Sequence, residues 1–482
     1  MKDLRQKIGY GFGDMASSMF WKVFSYYLPF FYSNVFGLKL ADAALLVLLT
    51  RIWDAVSDPV MGILSDRTNT RWGKYRPYLL WFAAPFSICG ILLFTTPDFG
   101  YAGKLIWAYV TYIMMMTVYT GINVPYGALL GVISDNPKER TVYSSFRMFF
   151  AYGGSFIALF SWEPLCELFR NMFGASPATS WQYSMIVIAA ACVVLFICCF
   201  YMTRERVKTN STMSVGKDFK ALVSNRPWWL LIGAALSFNL FNTVRGATVA
   251  YFFADVIGPD AMLNLGFLGS VLFYSGLFLG IGEIANMIGV ALTVPVAAHF
   301  GKTTTFILVN MGLVILSVSF FFVPVTGTGF WIMLLLQIFI SILTGIMSPL
   351  IWSMYADVSD YSELKYKSAS TGLIFSSSSM AQKFGGALGG AAVLWLLGAF
   401  GYTENAPAMT QPQSAVSCLW YLMSFIPAAV AAIAAIVATY YPLTTAKVNE
   451  IVAKLKKQRE SNGDNGPIVP EAEEMTDFAN VM

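Results

Sequence analysis

Two acidic residues one helical turn apart, inside an otherwise apolar stretch, are where this sequence first offers chemistry. The segment RIWDAVSDPVMG puts Asp54 and Asp58 at i and i+4, so both carboxylates share one helix face, with Ser57 beside them and Arg51 a turn away. Two neighbouring carboxylates in apolar surroundings cannot both stay ionised without a cation, so the pair holds a proton or a small ion such as Na+. Either would couple an ion gradient to the movement of a second solute. The alternative is a fixed role, in which Arg51 and Lys383 neutralise the two acids as salt bridges that only hold helices together.

Asp14, Lys22, Arg147, Glu283 and Lys383 lie in equally apolar stretches, as does Arg245. Each charge costs about 2.5 kcal/mol or more at a bilayer centre unless paired or hydrated, so the set implies a polar cavity. Asp14, Ser18 and Lys22 follow one another at helical spacing, with Ser17 and Trp21 alongside. That stripe suits a wall facing a sugar, although Asp14 would serve equally as a cap or gate at the cytoplasmic end. In TVYTGINVPYGALLG, Tyr119, Thr120 and Asn123 offer hydroxyl and amide groups just before Pro125. The proline either frees backbone carbonyls for a ligand or only kinks the helix. In SSSSMAQKFGGALGG, Ser379 and Lys383 share a face, and the glycines that follow allow close helix packing.

The elements that must carry these residues follow from composition. Of 482 residues, 57% are hydrophobic and 12% charged, and the charges cluster between long apolar stretches. A spanning helix needs about 20 mostly apolar residues. Such stretches occur near 8–36, 41–65, 78–96, 104–133, 141–166, 179–203, 228–256, 265–300, 303–326, 328–356, 369–401 and 414–442. The chain is therefore read as an all-α membrane protein of about twelve spans. With a cytoplasmic N-terminus nearly all loop Lys and Arg fall inside, and only Lys39, Lys104 and Arg170 lie outside. Both termini are then cytoplasmic, and the longest polar connection follows the sixth span.

The expected organisation is a six-helix bundle over 1–203, a basic central loop over 204–227, a second bundle over 228–442 and a cytoplasmic tail over 443–482. MKDLRQK runs into the first span without a small-residue cleavage site, so that span is expected to direct insertion itself. The tail AKVNEIVAKLKKQRES reads as a short helix against anionic lipid headgroups, followed by a polar acidic segment. The six cysteines have neither metal-ligand spacing nor a loop pairing, and His299 is the only histidine. Nothing resembles GxxxxGK[ST], HExxH or a Ser/His/Asp set, so neither enzymatic nor ATP-driven chemistry is expected. No cofactor is expected beyond a coupling ion, Na+ or H+.

RIWDAVSDPVMGILSDRTNTRWGKYRPYLL resembles the second helix and following loop of the glycoside-pentoside-hexuronide:cation symporters, a branch of the major facilitator superfamily that includes melibiose permease. The resemblance extends through YGFGDMAS, NVPYGAL, ERTVYSSFRMFF, ADVSDYSELK and QKFGGALGG, in order and over nearly the whole chain. It implies the major facilitator fold and alternating-access symport of a sugar-type solute with Na+, H+ or Li+, in the plasma membrane. By position it implies a cation site at Asp54, Ser57, Asp58 and Thr120, with Asp54 and Asp58 the metal ligands if the ion is Na+. Lys383 would be the charged partner across the pseudo-two-fold axis. The substrate set would comprise Asp14, Ser18, Lys22, Tyr119, Asn123, Arg147, Ser379 and Lys383. The segment from Gly62 to Asp66 and Arg67 resembles the superfamily's loop motif between helices two and three, which implies cytoplasmic gating.

Several positions depart from melibiose permease. Ser57 replaces an asparagine, leaving the coupling ion open. Asn123 and Ser18 replace aspartates, and Gly127 replaces a tryptophan, so melibiose itself is not the expected substrate. Loss of acidic groups, with Lys22, Arg147 and Arg245 supplying positive charge, suggests an acidic sugar such as a glucuronide. Partners are expected to be a small sugar and the lipid bilayer, with no nucleic acid, and the protein is expected to be a monomer. Two rival readings are a related symporter of an amphiphile such as a lysolipid, and a non-transporting sensor that kept the fold.

Overall fold

The structure, a computed structural model, describes residues 2–133, 137–206, 223–264, 270–366, 371–404 and 406–461. The first six spans are α1 (Lys2–Phe30), α2 (Leu40–Arg67), α3 (Arg76–Trp81) continued by α4 (Ala83–Leu93), α5 (Tyr101–Ile133), α6 (Pro137–Phe173) and α7 (Pro177–Met202). The second six are α8 (Arg226–Phe252), α9 (Ser275–Phe300), α10 (Lys302–Phe321), α11 (Gly327–Tyr366), α12 (Thr371–Ala399) and the pair α13 (Gln413–Met423) and α14 (Phe425–Thr439). By length and composition α5, α7, α9, α10, α11 and the α13–α14 pair are apolar enough to cross a membrane. The spans that fall short include α1, α2, α6, α8 and α12, which carry most of the buried charges.

Proline chemistry explains the two broken spans. The third breaks at Phe82 and the twelfth at Ser424, and in each a proline follows three residues later, Pro85 and Pro427. A proline has no N–H for the preceding turn and its ring clashes with the carbonyl four residues back, so each helix restarts with proline in its first turn. The first span of each half ends alike. Phe31–Val35 after α1 and Phe253–Ile257 after α8 are π-helical turns.

Several boundaries differ from the sequence reading. The eighth span begins at Ser275 rather than near 265, because a small antiparallel hairpin precedes it, β1 (Met262–Asn264) on β2 (Ser270–Leu272). Residues 265–269 lie outside the described residues. The tenth span extends to Tyr366, so ADVSDYSELK lies on α11 and not after it, with Asp357 paired to Lys302 at 2.8 Å. Residues 62–67, read as a loop motif, are still the last turns of α2. Residues 207–222, most of the central loop, and 462–482 of the tail lie outside the described residues. The tail helix is α15 (Thr445–Ser461), whose Ile451 and Leu455 pack on the second half.

The apolar core shows which end of the molecule is closed. One cluster runs through both halves, joining Tyr27, Phe31 and Phe36 to Tyr251, Phe252 and Phe278, while Trp228, Phe306, Met354 and Tyr355 form a separate cluster within the second half. The shared cluster lies towards the extracellular ends, and polar contacts cross there as well. Ser33 bonds Tyr251 at 2.7 Å, Asn34 donates to the Tyr402 hydroxyl at 2.9 Å, and the Leu40 N–H donates to Glu404 at 3.0 Å. Glu163 of α6 accepts hydrogen bonds from Tyr27 and from Ser275 at the start of α9.

The cytoplasmic ends bond within halves. Arg206 donates to Gln6 at 2.6 Å, and Glu205 accepts the backbone N–H groups of Lys74, Tyr75 and Arg76 at 2.7 to 2.9 Å. That latch requires Gly73, where φ is +115° and a Cβ would sit 2.6 Å from the Glu205 carboxylate. Among the described residues the halves meet at mid-membrane and on the extracellular side, which is an inward-facing arrangement.

Candidate functional site

The polar residues of the spans converge at mid-membrane, where the halves meet. On α2, Asp54 is buried at 2% exposure, and the Ser57 hydroxyl turns back to the Asp54 carbonyl at 3.4 Å. Asp58, one turn on, faces the interface. It accepts the Thr120 hydroxyl of α5 at 2.9 Å and forms an ion pair with Lys383 of α12, in the opposite half. The side chains of Asp58 and Lys383 are 29% and 17% exposed, so the pair is only partly desolvated. Helix α12 reaches this position because its glycines allow close approach to α8: a Cβ at Gly389 would lie 2.8 Å from Thr243.

A second ion pair lies within the first half. Arg147 of α6 donates through Nε to Asp14 of α1 at 2.8 Å, and its guanidinium stacks on the Tyr126 ring. Asp14 is thereby an ion-pair partner as well as a member of the polar stripe. Its neighbour on that stripe, Ser18, is half-buried. On α5 the Asn123 amide donates to the Tyr119 carbonyl at 3.2 Å, and the Tyr119 ring packs on Trp21 at 5.0 Å.

The third pair again joins the halves. Lys22 of α1 donates to Glu283 of α9 at 2.6 Å and to the Tyr26 hydroxyl at 3.3 Å. Glu283 is 3% exposed and was absent from the expected site residues. Its partner could have been sought in the sequence, because an acid eight residues into an apolar helix needs a cation at the same depth. Lys22 and Lys383 were the available cations, and only the packing assigns one to each acid.

The side chains of Arg51, Asp66, Arg67 and Ser379 lie outside the described residues. Their backbone positions are helical, on α2 and α12, with Arg67 the last residue of α2. Arg245, counted among the positive charges of the site, is 5% exposed and bonds the Met423 carbonyl at 2.6 Å and the Gln337 side chain at 2.8 Å. It therefore belongs to the interior of the second half.

Charge balance follows directly. Lys22, Arg147 and Lys383 each have a carboxylate of their own in Glu283, Asp14 and Asp58. The excess of positive charge that pointed to an acidic sugar is not present among these residues.

The chain matches the family described as MFS/sugar transport protein over residues 9–445. It belongs to that family. A protein of Escherichia coli described as the putative glycoside/cation symporter YagG is 34% identical over 466 residues, covering 96% of this chain and 97% of its own. The isoprimeverose transporter of Lactiplantibacillus pentosus is 32% identical, covering 89% and 87%. The fold is shared more widely. The nucleoside transporter NupG superposes with a TM-score of 0.63 at 12% identity, over 91% of this chain and 98% of that one. A proton-dependent oligopeptide transporter gives 0.66 at 13% identity, over 93% and 99%. As a member of the sugar-transport family the protein is a multi-pass transporter of the plasma membrane, working by cation-coupled symport of a sugar-type solute. The lysolipid and sensor readings are not favoured.

Proposed function

We propose that the protein, acting as a monomer, carries a neutral glycoside together with Na+ or H+, with Asp58 as the coupling carboxylate. The observation that carries this reading is the Asp58–Lys383 ion pair, which spans the two halves and shares Asp58 with the Thr120 hydroxyl. In the inward-facing arrangement the lysine ammonium is the counter-ion of Asp58. A proton on Asp58, or Na+ among the oxygens of Asp54, Ser57, Asp58 and Thr120, would take over that role. Lys383 would then be released towards the cavity, where an ammonium with three donors can bind sugar hydroxyls. Cation binding and sugar binding would thus favour the same rearrangement between halves, which is what symport requires.

The remaining substrate contacts are assigned to the wall formed by Asp14, Ser18, Lys22, Tyr119, Asn123, Arg147 and Ser379. A neutral glycoside fits this wall better than a hexuronide, because a substrate carboxylate would have to displace Glu283 or Asp14 from its cation. Asp66 and Arg67, at the cytoplasmic end of α2, retain the gating role assigned to their motif.

The test is uptake of labelled methyl xylosides, glucosides, galactosides and glucuronides into proteoliposomes under imposed Na+ or H+ gradients. Accumulation of a neutral glycoside driven by one of the two gradients is expected. A preference for the glucuronide would overturn the choice of a neutral substrate, and gradient-independent equilibration of every sugar would overturn coupling.

A further inference from the structure

We propose that Glu283 is a substrate-binding carboxylate of the second half, whose free oxygen accepts a hydroxyl hydrogen of the transported sugar. The inference rests on the sugar-symport reading and adds to it a contact on the side of the site opposite the acidic pair of α2. Glu283 is 3% exposed, and its two oxygens are in different situations. Oε1 is held by Lys22 at 2.6 Å, whereas Oε2 has no hydrogen-bond partner among the described residues. A buried carboxylate oxygen without a donor is costly, because it has lost water and gained nothing in return. Such an atom is maintained where a ligand supplies the donor.

The surroundings of Oε2 indicate the chemistry of that donor. Glu283 lines a cleft of about 420 Å³ of unfilled space, part of it open, together with Asn242, Arg245, Gln337, Ser341 and Thr344. These groups are already organised among themselves. Arg245 donates to Gln337 at 2.8 Å, Gln337 donates to Ser341 at 3.3 Å, and the Thr344 hydroxyl donates to Asn286 at 2.9 Å. A cleft rich in amides and hydroxyls, with one ion-paired carboxylate at its edge, suits a ligand bearing several hydroxyl groups.

Position links the cleft to the rest of the site. Asp14, Ser18, Lys22 and Tyr26 form one continuous stripe at i+4 spacing along α1, running from the Arg147 pair to the cleft, which Tyr26 also lines. A sugar lying along this stripe would meet Arg147 at one end and Glu283 at the other. Because Lys22 fixes Oε1 and neutralises the charge, Glu283 can remain an ionised acceptor inside the membrane without drawing a cation of its own.

The experiment measures binding to the purified protein of methyl β-D-xyloside, methyl β-D-glucoside and methyl β-D-galactoside, each with its monodeoxy analogues. Wild type is compared with Glu283→Gln, Glu283→Asp and the neutral pair Lys22→Gln with Glu283→Gln. For the glycoside that binds wild type, Glu283→Gln is expected to weaken binding about tenfold or more. One deoxy analogue should lose a similar factor in wild type and nothing further in Glu283→Gln, and Glu283→Asp should recover part of the loss. If the unpaired Lys22 prevents Glu283→Gln from folding, the neutral pair gives the same comparison. Equal deoxy penalties in wild type and variant would overturn the assignment and leave Glu283 a structural tie between the halves. Failure of every glycoside to bind wild type would overturn the sugar reading itself.

Discussion

Replacing Asp58 by Asn removes one charge from the inter-half pair and keeps the side-chain size. The amide oxygen can still accept the Thr120 hydroxyl, which lies at 2.9 Å in the native protein, but Lys383 is left facing an amide dipole. Two unit charges about 4 Å apart at an effective dielectric of about 20 interact by about 4 kcal/mol. The 29% and 17% exposures of the partners allow hydration to recover part of that, leaving about 2 kcal/mol, or about thirtyfold in an equilibrium constant.

Two consequences follow for Asp58→Asn. The purified protein should unfold at a lower temperature than wild type. In proteoliposomes, gradient-driven accumulation should fall to simple equilibration of the sugar, while exchange of labelled for unlabelled sugar persists. Adding Lys383→Gln removes the stranded ammonium, so the double variant should regain most of the lost stability and none of the coupling. A single variant that still accumulates sugar, or a double variant less stable than the single, would refute the assignment of Asp58 and Lys383 as the coupled pair.

Other consequences can be measured in the same preparations. Arg147→Gln strands Asp14 and should lower stability by about 1–3 kcal/mol and weaken sugar binding, and adding Asp14→Asn should restore stability but not binding; thermal unfolding and binding assays separate the two effects. Gly73→Ala forces a side chain at φ +115° against the Glu205 carboxylate, which should cost about 1–3 kcal/mol and be seen as a lower unfolding temperature. Glu163→Gln weakens hydrogen bonds that tie α6 and α1 to the start of α9, so spin labels at the extracellular ends of α6 and α9 should show a larger outward-open population; an unchanged distance distribution would mean that closure is held elsewhere.

Much of the architecture could be read from local chemistry. Twelve apolar stretches and the placement of Lys and Arg define twelve spans and their orientation, because lipid penalises unpaired charge and unsatisfied backbone wherever they occur. The i+4 spacings put Asp54 with Asp58, and Asp14 with Ser18 and Lys22, on common faces, since helical geometry alone fixes those neighbours. The helix ends were less legible. Ser275 starts its span late because a hairpin occupies the preceding residues, and ADVSDYSELK remains helical because Lys302 pairs with Asp357 beyond the apolar stretch.

What the sequence determined by itself is that buried charges of both signs must meet in a cavity between two six-helix halves. Which charge meets which was decided only by tertiary packing. Lys383 could have served Asp54, Asp58 or Glu283, and Lys22 could have served Asp14, its neighbour on the same stripe. In the folded protein Arg147 takes Asp14, leaving Lys22 for Glu283 across the interface, and Lys383 goes to Asp58. Ion pairing over such distances depends on how far apart packed helices place the side-chain ends, and residues 261 and 325 positions apart in the chain carry no local trace of that separation.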